Sequence, residues 1–165
     1  MKKSTTVGHE ISRLLLHLTI VAILSQTMTP GGKIADFRFH FSIAEQYYNF
    51  VPFNAAWRML KMSGQKAEYF FVVNILGNIL IFLPVGFFHR LSEKCKFENT
   101  VLFGFFLSLF IELVQVILPR TTDIDDIIMN TAGTVLGALL CVLCEKVFTH
   151  FKRVEADNLN FLKKN

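Results

Sequence analysis

Hydrophobic positions in this chain run in long blocks rather than alternating with polar ones. Tyr69 to Phe88 is 20 residues without a charge, Thr100 to Leu118 is 19 with only Glu112, and Ile127 to Cys144 is 18 with none. Uncharged runs of this length read as membrane-spanning helices, since roughly 20 residues cross the hydrocarbon at about 1.5 Å each. Ile11 to Met28 is a fourth block, with Arg13 near its start and His17 inside. Its basic start (Lys2, Lys3) and apolar centre also fit a signal peptide. No small-x-small cleavage site follows Ser25-Gln26-Thr27-Met28, however, and the block stops at Pro30-Gly31-Gly32, so it reads as an uncleaved first span. Arg13 then snorkels to the head groups. The predicted fold is all-α, an integral membrane four-helix bundle. One domain covers 1–165, with spans over 11–28, 69–88, 100–118 and 127–147.

Between the blocks, the only long loop is 29–68. In it Phe37, Phe39 and Phe41 alternate with Arg38 and His40, a two-residue period that predicts a short extended stretch. Every Tyr and the sole Trp (Tyr47, Tyr48, Trp57, Tyr69) lie in or beside this loop. Such side chains favour the membrane interface, so the loop is expected to lie on the bilayer, with AAWRMLKM (Ala55 to Met62) as a short interfacial helix. The turn HRLSEKCKFEN is short and basic, and the polar tail 151–165 is expected to fray.

The chain is 52% hydrophobic and 18% charged, which agrees with a membrane protein, and its net charge of +4 sits outside the spans. That charge therefore gives orientation and implies no nucleic-acid partner. With the amino terminus inside, segments 1–13, 89–99 and 145–165 hold 11 of the 17 Lys and Arg. The positive-inside rule then places both termini in the cytoplasm. Cys95, Cys141 and Cys144 all fall on or near the inner side, so no external disulfide framework is expected. Cys141-x-x-Cys144 within an apolar helix reads as two small packing residues rather than a metal or redox motif.

Candidate chemistry lies in the polar residues within the spans. An ionisable group there costs roughly 2.5–3.5 kcal/mol on insertion scales, so it faces a partner or a wet cavity. Counting from the outer ends of the blocks puts Glu112 about 9 Å deep, Gln115 and Asn130 about 4.5 Å, Asn74 about 7.5 Å and Asn78 about 13.5 Å. Asn74 and Asn78, Glu112 and Gln115, and Asp126 and Asn130 each share a helix face at i, i+3 or i, i+4. The three faces are expected to meet, helped by Gly133-x-x-x-Gly137. The loop from Pro119 to Asp126 then caps a polar funnel. Arg120 can grip a phosphate or carboxylate at two points, or simply pair with Asp123 or Glu112. Asp123, Asp125 and Asp126 form a candidate divalent-cation set, Mg²⁺ being the one cofactor considered, and Glu112, Asp123 and Asp126 are the candidate acids or bases. Alternatively Asp125 or Asp126 caps the fourth helix.

These residues resemble the VanZ-like family of bacterial membrane proteins, over about Asn49 to Leu140. NFVPF (Asn49 to Phe53) is similar to a family Asn-x-x-Pro-Phe element, and NILIFLPVGF (Asn78 to Phe87) to an Asn…Phe-x-Pro-x-Gly segment. ELVQ followed by RTTDIDDIIMNTAGTVLG is similar to Glu-x-x-Gln, then Arg-x-x-Asp-x-Asp-Asp, then Asn-x-x-Gly. By that match Glu112, Gln115, Arg120, Asp123, Asp125, Asp126, Asn130 and Gly133 carry over, while Thr122 stands where an aromatic residue is common. The resemblance implies a role at the bacterial cell envelope, in the plasma membrane, and low-level resistance to teicoplanin-type lipoglycopeptides. It supplies no reaction.

Three functions fit. The first is a binder of an anionic lipid or lipid-linked cell-wall precursor at the outer leaflet, through Asn78, Glu112, Gln115, Arg120, Asp123, Asp125, Asp126 and Asn130. The second is a membrane enzyme acting on a lipid phosphate with Asp/Glu catalysis and Mg²⁺. The third is an ion-coupled carrier through Asn78 and Glu112. Four spans without repeats leave little room for alternating access unless the chain forms a homo-oligomer.

Overall fold

A computed structural model describes residues 2–28, 48–93, 95–117 and 122–164. Helix α1 is Lys2–Met28, followed by strand β1 (Tyr48–Asn49) and the short helix α2 (Asn54–Leu60). A continuous helical rod comes next: α3 (Gln65–Phe70), a π-helical stretch Phe71–Leu76, and α4 (Gly77–Glu93). Helix α5 (Phe97–Ile117), strand β2 (Thr122–Asp123) and α6 (Ile124–Lys164) complete the chain. Four helical segments are long and apolar enough to cross a membrane: Val7–Thr27, Gln65–Ser92, Phe97–Ile117 and Ile124–Ala156. The all-α four-span reading therefore stands.

The helices outrun the apolar blocks that predict them. α1 begins at Lys2 rather than at 11, the second rod runs from Gln65 to Glu93, and α6 continues to Lys164 where a frayed tail was expected. Hydrogen bonding along a helix does not stop where hydrophobicity does, and Lys, Glu and Arg are good helix formers. A short helix is present, as α2, where one is predicted over Ala55 to Met62, with Trp57 exposed. The alternating Phe37–Phe41 stretch lies outside the described residues.

The bundle is polar inside and apolar outside. Leu14, Leu18, Val21, Leu102, Phe106, Phe110, Leu113 and Leu143 face outward, while Thr100, Ser108, Glu112, Gln115, Asn130 and Thr134 are buried. Lipid satisfies the first set, and only other helices can satisfy the second. A compact apolar core of Leu16, Ile23, Phe82, Val85 and Ile111 joins α1, α4 and α5.

α4 and α6 make the most extensive helix contact, and small residues set it. A Cβ on Gly133 would strike the Ile79 carbonyl, one on Gly137 the Leu83 carbonyl, and one on Gly86 the Thr134 carbonyl. On α5, Gly104 leaves the space filled by the Thr134 side chain. Pro84 sits within α4. It removes one backbone bond, a loss tolerated when neighbouring helices pack closely. Of the predicted Cys pair, Cys141 is buried in this packing and Cys144 is exposed.

At the end carrying the α4–α5 turn, Arg90 donates to the Cys95 carbonyl and lies 3.9 Å from Glu145. His9 Nδ1 donates to the Ser92 carbonyl at 2.7 Å, tying α1 to α4. The candidate site lies at the opposite end.

Candidate functional site

The turn into α6 is built on Asp123. Its Oδ1 accepts the Asp125 N–H at 3.0 Å, the bond of a helix N-cap, and the Asn49 side-chain amide at 2.8 Å. The capping residue is thus Asp123, ahead of the Asp125 or Asp126 read from sequence, which leaves those two in the first turn of the helix. Glu112, buried on α5, accepts the Asp123 N–H through Oε2 at 3.1 Å. One carboxylate therefore fixes the backbone that presents the next.

Parallel pairing of β1 with β2 sets Tyr48 against Thr122 and Asn49 against Asp123. Asn49 is itself buried, and its Oδ1 accepts the Val51 N–H at 3.3 Å and the Asn54 amide at 3.0 Å. This local turn leads into Phe53, whose φ of 62° is left-handed and rare for a bulky residue. The Phe53 N–H donates to Asp125 Oδ1 at 2.5 Å, and Asp125 is only 1% exposed. A short charge-assisted bond to a buried carboxylate is what over-determines such a backbone.

Asp126 turns to a third element. Its Oδ1 accepts the Asn78 amide at 2.6 Å, which ties α6 to α4. Asn78 is therefore level with Asp126, not near the midplane as counting from Tyr69 suggests. Asn74 does not join the site: it is exposed and donates to its own helix at the Phe70 carbonyl, 3.1 Å away. Deeper in the bundle, the Asn130 amide donates to Ser108 Oγ at 2.9 Å. Asn130 Oδ1 and Thr122 Oγ1 are buried with no protein partner among the described residues. Gln115 Nε2 reaches the Thr27 carbonyl at 3.4 Å, closing α5 against the end of α1.

Glu112, Asp123, Asp125, Asp126, Asn78 and Asn49 thus form one lattice joining five elements, with Gln115 and Asn130 beside it. Arg120 lies outside the described residues, within the segment 118–121 that this lattice brackets. The proposed three-aspartate cation set is not assembled. Asp123, Asp125 and Asp126 face different donors, and among the described residues no three His, Cys, Asp or Glu side chains are grouped to hold a metal. Phe53 joins the lattice through its backbone N–H, and Ser108, which carries no signal in the sequence, lies beside it as the partner of Asn130. Asn49 was legible only as part of NFVPF, since 74 positions separate it from Asp123.

Four membrane-capable helices, knitted at one end by buried carboxylates, define a multi-pass helical membrane protein with a polar terminal site. The chain belongs to the VanZ/LLP1 family, whose profile matches residues 14–145. It is similar to Protein VanZ of Enterococcus faecium, 28% identical over 157 residues that cover 93% of this chain and 85% of that protein. No solved structure matches. The matched region takes in every lattice residue and ends at Glu145, the α6 residue that lies 3.9 Å from Arg90 of α4.

Proposed function

We propose that this chain is an envelope protein of the bacterial plasma membrane. It binds an anionic lipid or lipid-linked head group at the outer leaflet and so contributes to resistance against teicoplanin-type lipoglycopeptides. One observation carries this reading: Glu112, Asp123, Asp125 and Asp126 each accept an N–H from within the protein. Glu112, Asp123 and Asp125 position backbone, and Asp126 holds the Asn78 side chain. The Glu112 bond to the Asp123 N–H joins α5 to β2, on either side of the segment that carries Arg120, and a guanidinium is suited to two-point recognition of phosphate or carboxylate. The alternative, a membrane enzyme acting on a lipid phosphate, needs a carboxylate directed at substrate or a grouped metal set.

The test is analysis of the lipids retained by purified wild type beside Arg120→Ala. The expected result is an anionic species enriched over the bulk membrane in wild type and weakened roughly ten- to hundredfold in the variant, from the loss of a charge-assisted contact. Identical lipid profiles overturn the proposal.

A further inference from the structure

The elbow between α2 and α3 has features that the carboxylate lattice does not use. Between Asn54 and Ala67 the sequence holds three cations, Arg58, Lys61 and Lys66, and no acid. Gly64, with φ of 62°, turns the chain there. A groove of about 390 Å³ opens at the turn, lined by Met62, Gln65, Lys66, Tyr69 and Phe70. Its wall is apolar apart from Gln65, the tip of Lys66 and the Tyr69 hydroxyl. The Arg58 guanidinium lies over the ring of the groove residue Phe70, 5.5 Å from its centroid, so a second cation stands beside the groove without lining it. Lys61 lies over Trp57 at 5.3 Å. Glu68 likewise does not line the groove.

We propose that this elbow is a binding site for one anionic phospholipid, with an acyl chain along Met62, Tyr69 and Phe70 and the phosphate between Arg58 and Lys66. Two observations select that occupant. The charge is complementary, two cations over an apolar trough. The groove also runs on into the lipid-facing surface of the second span, where Tyr69, Phe71, Val72 and Val73 are exposed. A cation at the head-group level above an aromatic and aliphatic wall matches the order of a phospholipid, charged first and apolar below. The site stands whether or not the carboxylate lattice binds a head group, since no residue is shared.

Trp57 is the only Trp in the chain and sits on this elbow, so its fluorescence reports on it alone. The full chain is reconstituted in phosphatidylcholine bilayers doped, at equal low mole fraction, with either brominated phosphatidylglycerol or brominated phosphatidylcholine. Bromine quenches Trp on contact. Two cations near the surface should enrich the anionic lipid beside Trp57 about tenfold. Brominated phosphatidylglycerol should therefore quench far more strongly, and high salt should reduce the difference. In Arg58→Gln/Lys66→Gln the preference for the anionic lipid should fall several-fold, to the part that Lys61 beside Trp57 sustains, with quenching by brominated phosphatidylcholine unchanged as the check on fold. The wild-type comparison decides by itself: equal quenching by the two lipids overturns the site. Loss of quenching by both lipids as protein density rises also overturns it, because a second copy of the chain would then cover the groove.

Discussion

Phe53 shows most directly what the acidic residues do. Its left-handed backbone is held by a single buried acceptor, Asp125 Oδ1, and its own side chain is 60% exposed. A left-handed conformation costs an ordinary residue about 1–2 kcal/mol and costs Gly almost nothing. Phe53→Gly should therefore stay within about 1 kcal/mol of wild type, since relieved strain offsets the entropy of Gly. Phe53→Val, β-branched, should lose more. Asp125→Ala leaves the Phe53 N–H without its acceptor and should cost about 1.5–3 kcal/mol. Unfolding of the three variants in mixed detergent micelles checks the order. If Phe53→Val matches Phe53→Gly, the turn is not strained and Asp125 has another role.

At the level of elements, the contact between α4 and α6 is set by backbone approach rather than by large side chains. Gly137→Val must displace the Leu83 carbonyl and the Phe87 N–H region, both fixed within a helix. Overpacking of this kind costs typically 1–3 kcal/mol or more, so the variant should unfold earlier than wild type or fail to accumulate. Gly8→Ala, within α1 and with nothing within 4 Å of the added methyl, should be at least as stable as wild type, by up to about 1 kcal/mol, in the same assay. The spans themselves were legible in the sequence because hydrocarbon thickness imposes a length that uncharged runs reveal. Their ends were not, because helix continuation past Phe88 or Lys146 depends on backbone bonding and not on hydropathy. Depth suffered from the same cause. Tyr69 was treated as the border, yet Asn78 is the residue that meets Asp126. The π-helical stretch Phe71–Leu76 also breaks the α-period on which a shared face for Asn74 and Asn78 rests. Glu112, Asp123, Asp125 and Asp126 were legible as a group because charge beside a span is costly. Their partners were not, because Asn49 and the Phe53 N–H reach them by long-range pairing of β1 with β2.

For the whole molecule, the lattice lies at one end of the bundle, and the Arg90–Glu145 pair and the α4–α5 turn at the other. From the charge distribution of the sequence we propose that the lattice faces outside. In a background lacking Cys95, Cys141 and Cys144, a cysteine replacing the exposed Ser63 should react with impermeant maleimide on intact cells, and one replacing the exposed Glu98 should react only after permeabilisation. The reverse pattern would move the lattice to the cytoplasmic face. The division of labour we propose, in which carboxylates order the residues beside the 118–121 segment and Arg120 holds the ligand, is open to direct test. It is tested most directly by teicoplanin susceptibility of cells carrying wild type, Arg120→Lys or Arg120→Ala at matched membrane levels. Lysine keeps the charge but lacks the planar two-donor fork, so Arg120→Lys is predicted to be as susceptible as Arg120→Ala. Full protection by Arg120→Lys would contradict the account and leave Arg120 as a counter-charge to the aspartates.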